Sequence, residues 1–298
     1  MRLIQENGRK ICYLEDSSRW YDSIEQTRAF LDFKETQEYK TYAVEPEFNL
    51  FKENAESIVS EHFKEDRYNI VDIGSGDGCS TLNTVDILKD NSQIIYIPID
   101  SSSHMIQEAI QNSKERKITT IDTKPCSFED GVKARGLIDL SPYEHSKFFF
   151  LGSTFLNYAP DNILLQLKKL MNPRDTLCVG ITLIDQKIYD VMRPYEEARG
   201  EDEFFSLLLK KLGIDREEMK FYERKYEGKG ESCYEFKSSK AISVEGKVIN
   251  FNPGDLLIAA YSFIYTPELI QETVRRHFPL SRFYFNKEKE YCIFISEL

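Results

Sequence analysis

The chain of 298 residues is poor in the residues that most directly announce a chemistry. Its four histidines, His62, His104, His145 and His277, are dispersed, and its six cysteines, Cys12, Cys79, Cys126, Cys178, Cys233 and Cys292, form no Cys-x-x-Cys pair. Neither a zinc site nor a Ser-His-Asp triad therefore has support in the spacing, and the cysteines read as reduced core residues. Long apolar runs are missing too. Phe148–Leu151 and Leu256–Ala260 are far below the ~20 residues a membrane helix needs, and Met1–Lys10 has no apolar signal region, so a cytoplasmic protein without a membrane partner is expected. Basic residues are outnumbered 39 to 50, giving a net charge of −11, which argues against a nucleic-acid backbone or an anionic membrane as main partner. There are no internal repeats or low-complexity segments. The hydrophobic content of 41% suffices for one large core or two smaller ones.

What is present is an alternation of strands and helices from Asn69 onward. Strands are expected at 69–73, 94–99, 117–121, 147–151 and 176–183, with helices near 79–89, 103–113 and 161–171 between them. This order predicts an α/β fold with a parallel, doubly wound sheet and right-handed crossovers. Residues 1–65 form an expected N-terminal cap with a strand at Arg9–Leu14, and 66–185 the core. Residues 186–250 read as an inserted lid or substrate domain with an amphipathic helix around 202–212, and 251–298 as strands and a helix from Pro267 to His277 that complete the core. Pro98 conflicts with its strand, because proline has no N–H for a ladder. It must lie where pairing is stopping, or on a bulge.

The sharpest motif is Ile70-Val-Asp-Ile-Gly-Ser-Gly-Asp-Gly-Cys-Ser80. An apolar strand delivers Asp72, then Gly74, Ser75, Gly76 and Gly78, where positive φ is permitted and a ligand can lie against the backbone. A dinucleotide fingerprint beginning at Gly74 would require glycine in place of Cys79, and a P-loop would require Gly-Lys-Ser/Thr; neither is present. Asp100 ends the next strand, where its carboxylate either holds both hydroxyls of one ribose or caps the following helix, a duty Ser101, Ser102 and Ser103 could also take. One ribose and no phosphate suits S-adenosylmethionine. In Cys126-Ser-Phe128, Ser127 and Phe128 could supply a polar contact and an apolar wall for adenine, or be an ordinary loop serine and core phenylalanine. The segment Phe148 to Pro160 ends the fourth strand, and its Gly152, Ser153 and Asn157 are expected at the reaction face.

Taken together these motifs resemble the histidine-specific Nα-methyltransferases of ergothioneine biosynthesis and their relatives. Trp20-Tyr-Asp22 resembles the family's Trp-Phe-Tyr-Asp, and Pro46-Glu-Phe-Asn-Leu-Phe-Lys52 its Pro-Glu-Tyr-Tyr-x-Thr-Arg. Ile70–Gly76, Ile97-Pro-Ile-Asp100 and Phe150–Asn157 are similar to its cofactor segments, Arg193–Gly200 to its Arg-Ala-Tyr-Asp-Asp-x-x-Gly, and Gly254–Ser262 to its Gly-Glu…Glu-x-Ser. The resemblance implies a class I methyltransferase, Rossmann-like sheet with a smaller substrate-binding domain, S-adenosylmethionine as cofactor, and an amino-acid substrate. It also implies Tyr21, Ser75, Ser101 and Cys126 as further cofactor contacts, Asn157 and Tyr195 at the substrate's backbone end, and Ser262 at its side chain.

The departures are on the substrate side. The family's tyrosine pair is Phe48-Asn49 here, and the glutamate that pairs with imidazole is replaced by Ala260. An unmet buried donor costs ~1–3 kcal/mol, so a small amino-acid-like amine other than histidine is expected, in a roomier pocket near Ala260, Tyr261 and Tyr234. Methyl transfer needs alignment more than a strong base, and Tyr195 with Asn157 is the expected catalytic pair, orienting the amine and relaying its proton. A catalytically silent cofactor-binding protein and a peptide or protein N-methyltransferase are the alternatives. The oligomeric state is not encoded in any motif.

Overall fold

The computed structural model describes residues 1–14, 20–21, 23–88, 92–183, 199–244 and 246–298. The chain divides into two compact units, one made of Met1–Thr36 with Asp185–Ile264 and the other of Gln37–Ile184 with Tyr265–Leu298.

The second unit is built on a seven-stranded sheet. In chain order its strands are β3 (Arg67–Ile73), β4 (Gln93–Ile99), β5 (Thr119–Thr120), β6 (Ser146–Phe150), β7 (Thr176–Thr182), β13 (Arg282–Phe285) and β14 (Tyr291–Glu297), arranged β13-β14-β7-β6-β3-β4-β5. Strands β3 to β7 are mutually parallel, and β14 runs antiparallel to β7. Six of the seven residues of β3 and all of β6 are buried, as continuous apolar strands covered on both faces should be. From central β3 the chain winds outward to β5 and then returns to β6 on the other side, which places a switch point at the carboxyl end of β3. Helices α4 (Cys79–Leu88), α5 (Ser103–Glu115), α6 (Gly131–Ile138) and α7 (Pro160–Leu170) make the crossovers, with α9 (Pro267–His277) before β13. The expected elements differ from these by a few residues at their ends, except α6, which escaped the periodicity because two of its eight residues, Gly131 and Gly136, are poor helix formers.

Pro98 lies inside β4 opposite Asp72, without a bulge. The ladder with β5 stops at Tyr96, and beyond it the Pro98 carbonyl accepts from Thr123 Oγ1 (2.7 Å). The proline nitrogen faces that same, already unpaired side, so no ladder bond is lost.

The first unit carries a five-stranded sheet of β1 (Arg2–Glu6), β2 (Arg9–Tyr13), β8 (Met219–Tyr226), β9 (Lys229–Phe236) and β12 (Leu256–Phe263), ordered β1-β2-β12-β9-β8, and a two-stranded hairpin, β10 (Lys240–Val244) with β11 (Lys247–Phe251). Strands β1 and β2 form a hairpin whose Asn7-Gly8 turn has φ of 49° and 82°, the conformation Asn-Gly favours between strands. A second hairpin pairs β8 with β9, and β12 lies between β2 and β9. Helices α1 (Ile24–Lys34) and α8 (Arg199–Lys211) pack together in this unit. Its main core includes Trp20, Phe204, Phe205, Tyr234 and Leu257.

Two expected boundaries therefore move. After a short α2 (Gln37–Tyr39), helix α3 (Glu45–His62) belongs with the seven-stranded sheet rather than the N-terminal cap, because Leu50, Phe51 and Ile58 bury into that sheet's core. Residues 251–264 leave the expected core segment because β12 takes its ladder bonds from β2 and β9. Among the described residues no helix is long and apolar enough to cross a membrane, and no group of three or more His, Cys, Asp or Glu could hold a metal ion.

Candidate functional site

The carboxyl end of β3 opens into Gly74–Gly78, tied to β4 by Gly74 N–H and Ser75 N–H, both donating to the Ile99 carbonyl (2.8 and 3.2 Å). Asp77 Oδ1 accepts from Cys79 N–H (3.1 Å) and starts α4. Two of the glycines answer to different constraints. At Gly78, φ +75°, an added Cβ would sit 2.7 Å from Tyr96 Oη and 3.2 Å from Ala109 Cβ, so the glycine lets α5 and β4 approach the turn. At Gly76, φ +52°, an added Cβ would meet nothing within 4 Å, so the turn leaves open space there. Beside it Ser75 Oγ is buried and has no hydrogen-bond partner among the described residues.

Asp100 faces the same turn. Its Oδ2 accepts from Gly76 N–H (3.0 Å) and its Oδ1 from Ser102 N–H (2.8 Å). Burial raises its pKa, against the pull of the backbone donors of Ser102, Gly76 and Ser101. The cap of α5 is Ser102, whose Oγ accepts from Met105 N–H. Asp100 is thus relieved of capping the helix, and its carboxylate keeps acceptor capacity for a ribose hydroxyl beyond its backbone donors. Ser101 is exposed. A buried hydroxyl without a partner, open space over Gly76 and a carboxylate at the strand end form a donor and acceptor set that fits a ribose and its substituents.

Asp72 departs from the expected ligand-facing role. It is buried, with Oδ1 accepting from Thr81 Oγ1 (2.7 Å) and Oδ2 from Tyr96 Oη (2.5 Å). Its carboxylate braces the turn from beneath, and burial lifts its pKa to about 7 although both hydroxyls favour the ionised form. Ser153 also turns inward: Thr182 N–H donates to its Oγ (3.0 Å), which shares a second bond with Thr182 Oγ1 (2.9 Å). Ser127 Oγ is spent in a local turn, accepting from Glu129 N–H (3.2 Å), and Phe128 is a core residue with its ring edge-on to Phe150 and Tyr158 at 5.5 and 5.1 Å. For these two residues the loop-and-core alternative describes the structure. Cys126 stays beside the site, its N–H donating to the Asp100 carbonyl (2.8 Å).

The turn after β6 adjoins the glycine turn, since a Cβ at Gly74 would come 3.2 Å from Thr154 Cγ2. Gly152 and Ser153 both have positive φ, 65° and 59°, and lead into a 3-10 helix, Thr154–Asn157, that ends on half-buried Asn157. Gly152 N–H donates to Glu47 Oε2 (2.9 Å). Phe48 and Asn49 follow Glu47 on α3 and are exposed.

Among the other expected residues, Tyr21 lies in an aromatic cluster of the first unit with Trp20, Phe30 and Phe204. Ala260 follows a register shift in β12 and packs against that unit's main core, and Ser262 lies opposite Gly230. Tyr234 donates to Asp202 Oδ1 (2.8 Å), which Arg216 also holds. Tyr195 lies outside the described residues. Sequence reasoning missed the two supports of the turns, Tyr96 and Glu47. Glu47 had a legible signal: it shares the buried stripe of α3 with Leu50, Phe51 and Ile58, where an acid needs a partner.

A family model described as histidine-specific methyltransferase, SAM-dependent, matches residues 17–297. No curated protein matches the chain. Among solved structures, the PH0226 protein of Pyrococcus horikoshii OT3 aligns at 11% identity over 92% of this chain and 99% of its own, with a TM-score of 0.46. A possible exported protein of Bordetella parapertussis aligns at 9% over 86% and 68%, TM-score 0.45. Human N-acetylserotonin methyltransferase, solved with SAM, aligns at 13% over 82% of this chain, which spans about half (51%) of that protein, TM-score 0.38.

Proposed function

Because this chain belongs to the histidine-specific, SAM-dependent methyltransferase family, with S-adenosylmethionine as its cofactor, we propose that it methylates the amino group of a small amino-acid-like substrate other than histidine. The observation that carries the substrate reading is Ala260. Where the family's imidazole partner would stand, this chain has a methyl group packed against an apolar core, and an imidazole N–H buried there would lack its acceptor.

Bound cofactor supplies a methyl group activated on a sulfonium sulfur. The residues of the chain contribute position. Asp100, its carboxylate held by Gly76 and Ser102, would accept from the cofactor's ribose, and Ser75 Oγ would donate to the same ligand. The open face of Gly76 admits the ligand against the backbone. By resemblance to the family, Asn157 and Tyr195 are assigned to the substrate's backbone end and Ser262 to its side chain, with Phe48 and Asn49 standing where the family has its tyrosine pair. The amine reacts as the neutral base, and Tyr195 relays the proton it releases on methylation through water to solvent. Orientation alone can supply up to ~7–11 kcal/mol of such a barrier.

The test is calorimetric titration of tryptophan, tyrosine and histidine into the protein with S-adenosylhomocysteine, followed by turnover of S-adenosylmethionine with each amine. Binding and turnover with tryptophan or tyrosine are expected. Binding of histidine alone sinks the substrate reading, and binding without turnover identifies a silent cofactor-binding protein.

A further inference from the structure

Glu47, the third residue of α3, is a carboxylate buried to 3% exposure whose hydrogen-bond donors Gly152 and Tyr291 are distant in sequence. Its Oε2 accepts two hydrogen bonds, from Gly152 N–H (2.9 Å) and from Tyr291 Oη on β14 (2.5 Å). Burial, with the Glu47 carboxylate beside it, raises the Tyr291 pKa far above the ordinary phenol range, against the pull of the nearby Ser153 hydroxyl. Room for this cluster comes from Gly180 on β7, where an added Cβ would collide with Glu47 Oε2 and lie 2.8 Å from Tyr291 Oη. Four segments, α3, the turn after β6, β7 and β14, thus converge on one oxygen.

We propose that Glu47 is a positioning residue for the cofactor and substrate site, acting through Gly152. The turn it holds is costly to maintain. Ser153 occupies the left-handed region, which disfavours residues with a side chain, and the Gly152 N–H would otherwise be a buried donor. A fixed acceptor at Glu47 removes that freedom and sets the direction in which the 3-10 helix leaves β6 with Asn157 at its end. The same bond fixes the rotation of α3 about its axis. Because successive helix residues are spaced by a constant angle, pinning Glu47 also pins Phe48 and Asn49, the positions where the chain differs from its family. Glu47 touches no reacting atom; it ties the segment bearing these residues to the turn bearing Asn157. A five-residue π-helix, Lys40–Val44, leads directly into α3, and such wide turns re-aim a helix where placement matters.

The inference rests on reading the Gly152 turn as part of the cofactor site, and the experiment separates the two. The affinity of the full chain for S-adenosylhomocysteine is measured by calorimetry at a temperature well below each variant's Tm. Glu47→Ala is expected to raise Kd about tenfold, equivalent to about 1.4 kcal/mol, and Glu47→Gln, which keeps an acceptor oxygen, to recover most of that loss. Tyr291→Phe should weaken binding by less than Glu47→Ala. Leu50→Ala, a cavity in the same helix, should lower Tm and leave Kd unchanged. An unchanged Kd in Glu47→Ala, or a Glu47→Gln variant no better than alanine, overturns the positioning role. If Glu47→Ala does not fold, Tyr291→Phe decides: unchanged affinity overturns the inference. Asp100→Asn is the control for the underlying reading, and if that variant binds as tightly as the wild type, the cofactor site itself has been misassigned.

Discussion

Burial lifts the Asp72 carboxyl to about pH 7, while Tyr96 and Thr81 bond to both of its oxygens. Between the ordinary carboxylate range and that value the folded protein keeps a proton the unfolded chain has released, so stability falls as pH rises through this window and levels off above it. The measurement is urea unfolding of the wild type and Asp72→Asn from pH 4.5 to 8. The stability of the wild type relative to the variant should decline with rising pH; a constant difference would remove the elevated carboxyl. Ala260 is the second residue at which one atom group decides a property. Introducing a carboxylate by Ala260→Glu returns the acceptor an imidazole N–H needs, and histidine affinity measured by calorimetry should rise by about tenfold, for ~1.4 kcal/mol. No gain would place the specificity elsewhere, first at Phe48 and Asn49.

At the scale of elements, the glycine turn joins two duties that substitutions can separate. Gly78→Ala sets a methyl group against Tyr96 and Ala109, adding overpacking of ~1–3 kcal/mol to the ~1–2 kcal/mol of a left-handed side chain. Gly76→Ala carries only the second cost, because nothing lies within 4 Å, yet its methyl group occupies the space left for a ligand. Calorimetry should find the larger fall in Tm for Gly78→Ala and the larger loss of S-adenosylhomocysteine affinity for Gly76→Ala. A reversed order would mean that the open face of the turn points away from the ligand. These elements were legible to different degrees. The parallel strands show as short apolar runs because both their faces are buried, and Pro267 marks the start of α9. Reading Arg9–Leu14 as a strand left out its partner β1, although Asn7-Gly8 signals the turn between them, and α6 was hidden by its glycines. Ser153 and Ser127 could not be placed from local pattern, because their partners, Thr182 and the turn at Glu129, are chosen by folding.

For the whole molecule, charge gives a prediction independent of any single contact. A protein of net charge −11 attracts the sulfonium of S-adenosylmethionine through long-range potential that salt screens, whereas S-adenosylhomocysteine lacks that charge. Stopped-flow association of the methyl donor should slow as ionic strength rises, with a weaker dependence for the product; equal slopes would exclude steering. Membership of the family, the order of the sheet-forming strands and the candidate cofactor turn with Asp100 are properties of sequence, since each follows from local apolar runs, positive-φ glycines and short-range spacing. Tertiary structure decided the division into two units, moving α3 and β12 away from their expected segments through the cores and ladders they join. It also decided which polar atoms remain available. Asp72 is consumed by Tyr96 and Thr81, and Glu47 by Gly152 and Tyr291, while the Asp100 carboxylate keeps acceptor capacity beyond its backbone donors. A sequence specifies which donors and acceptors exist, but which of them are already satisfied depends on partners that only the fold brings within 3 Å.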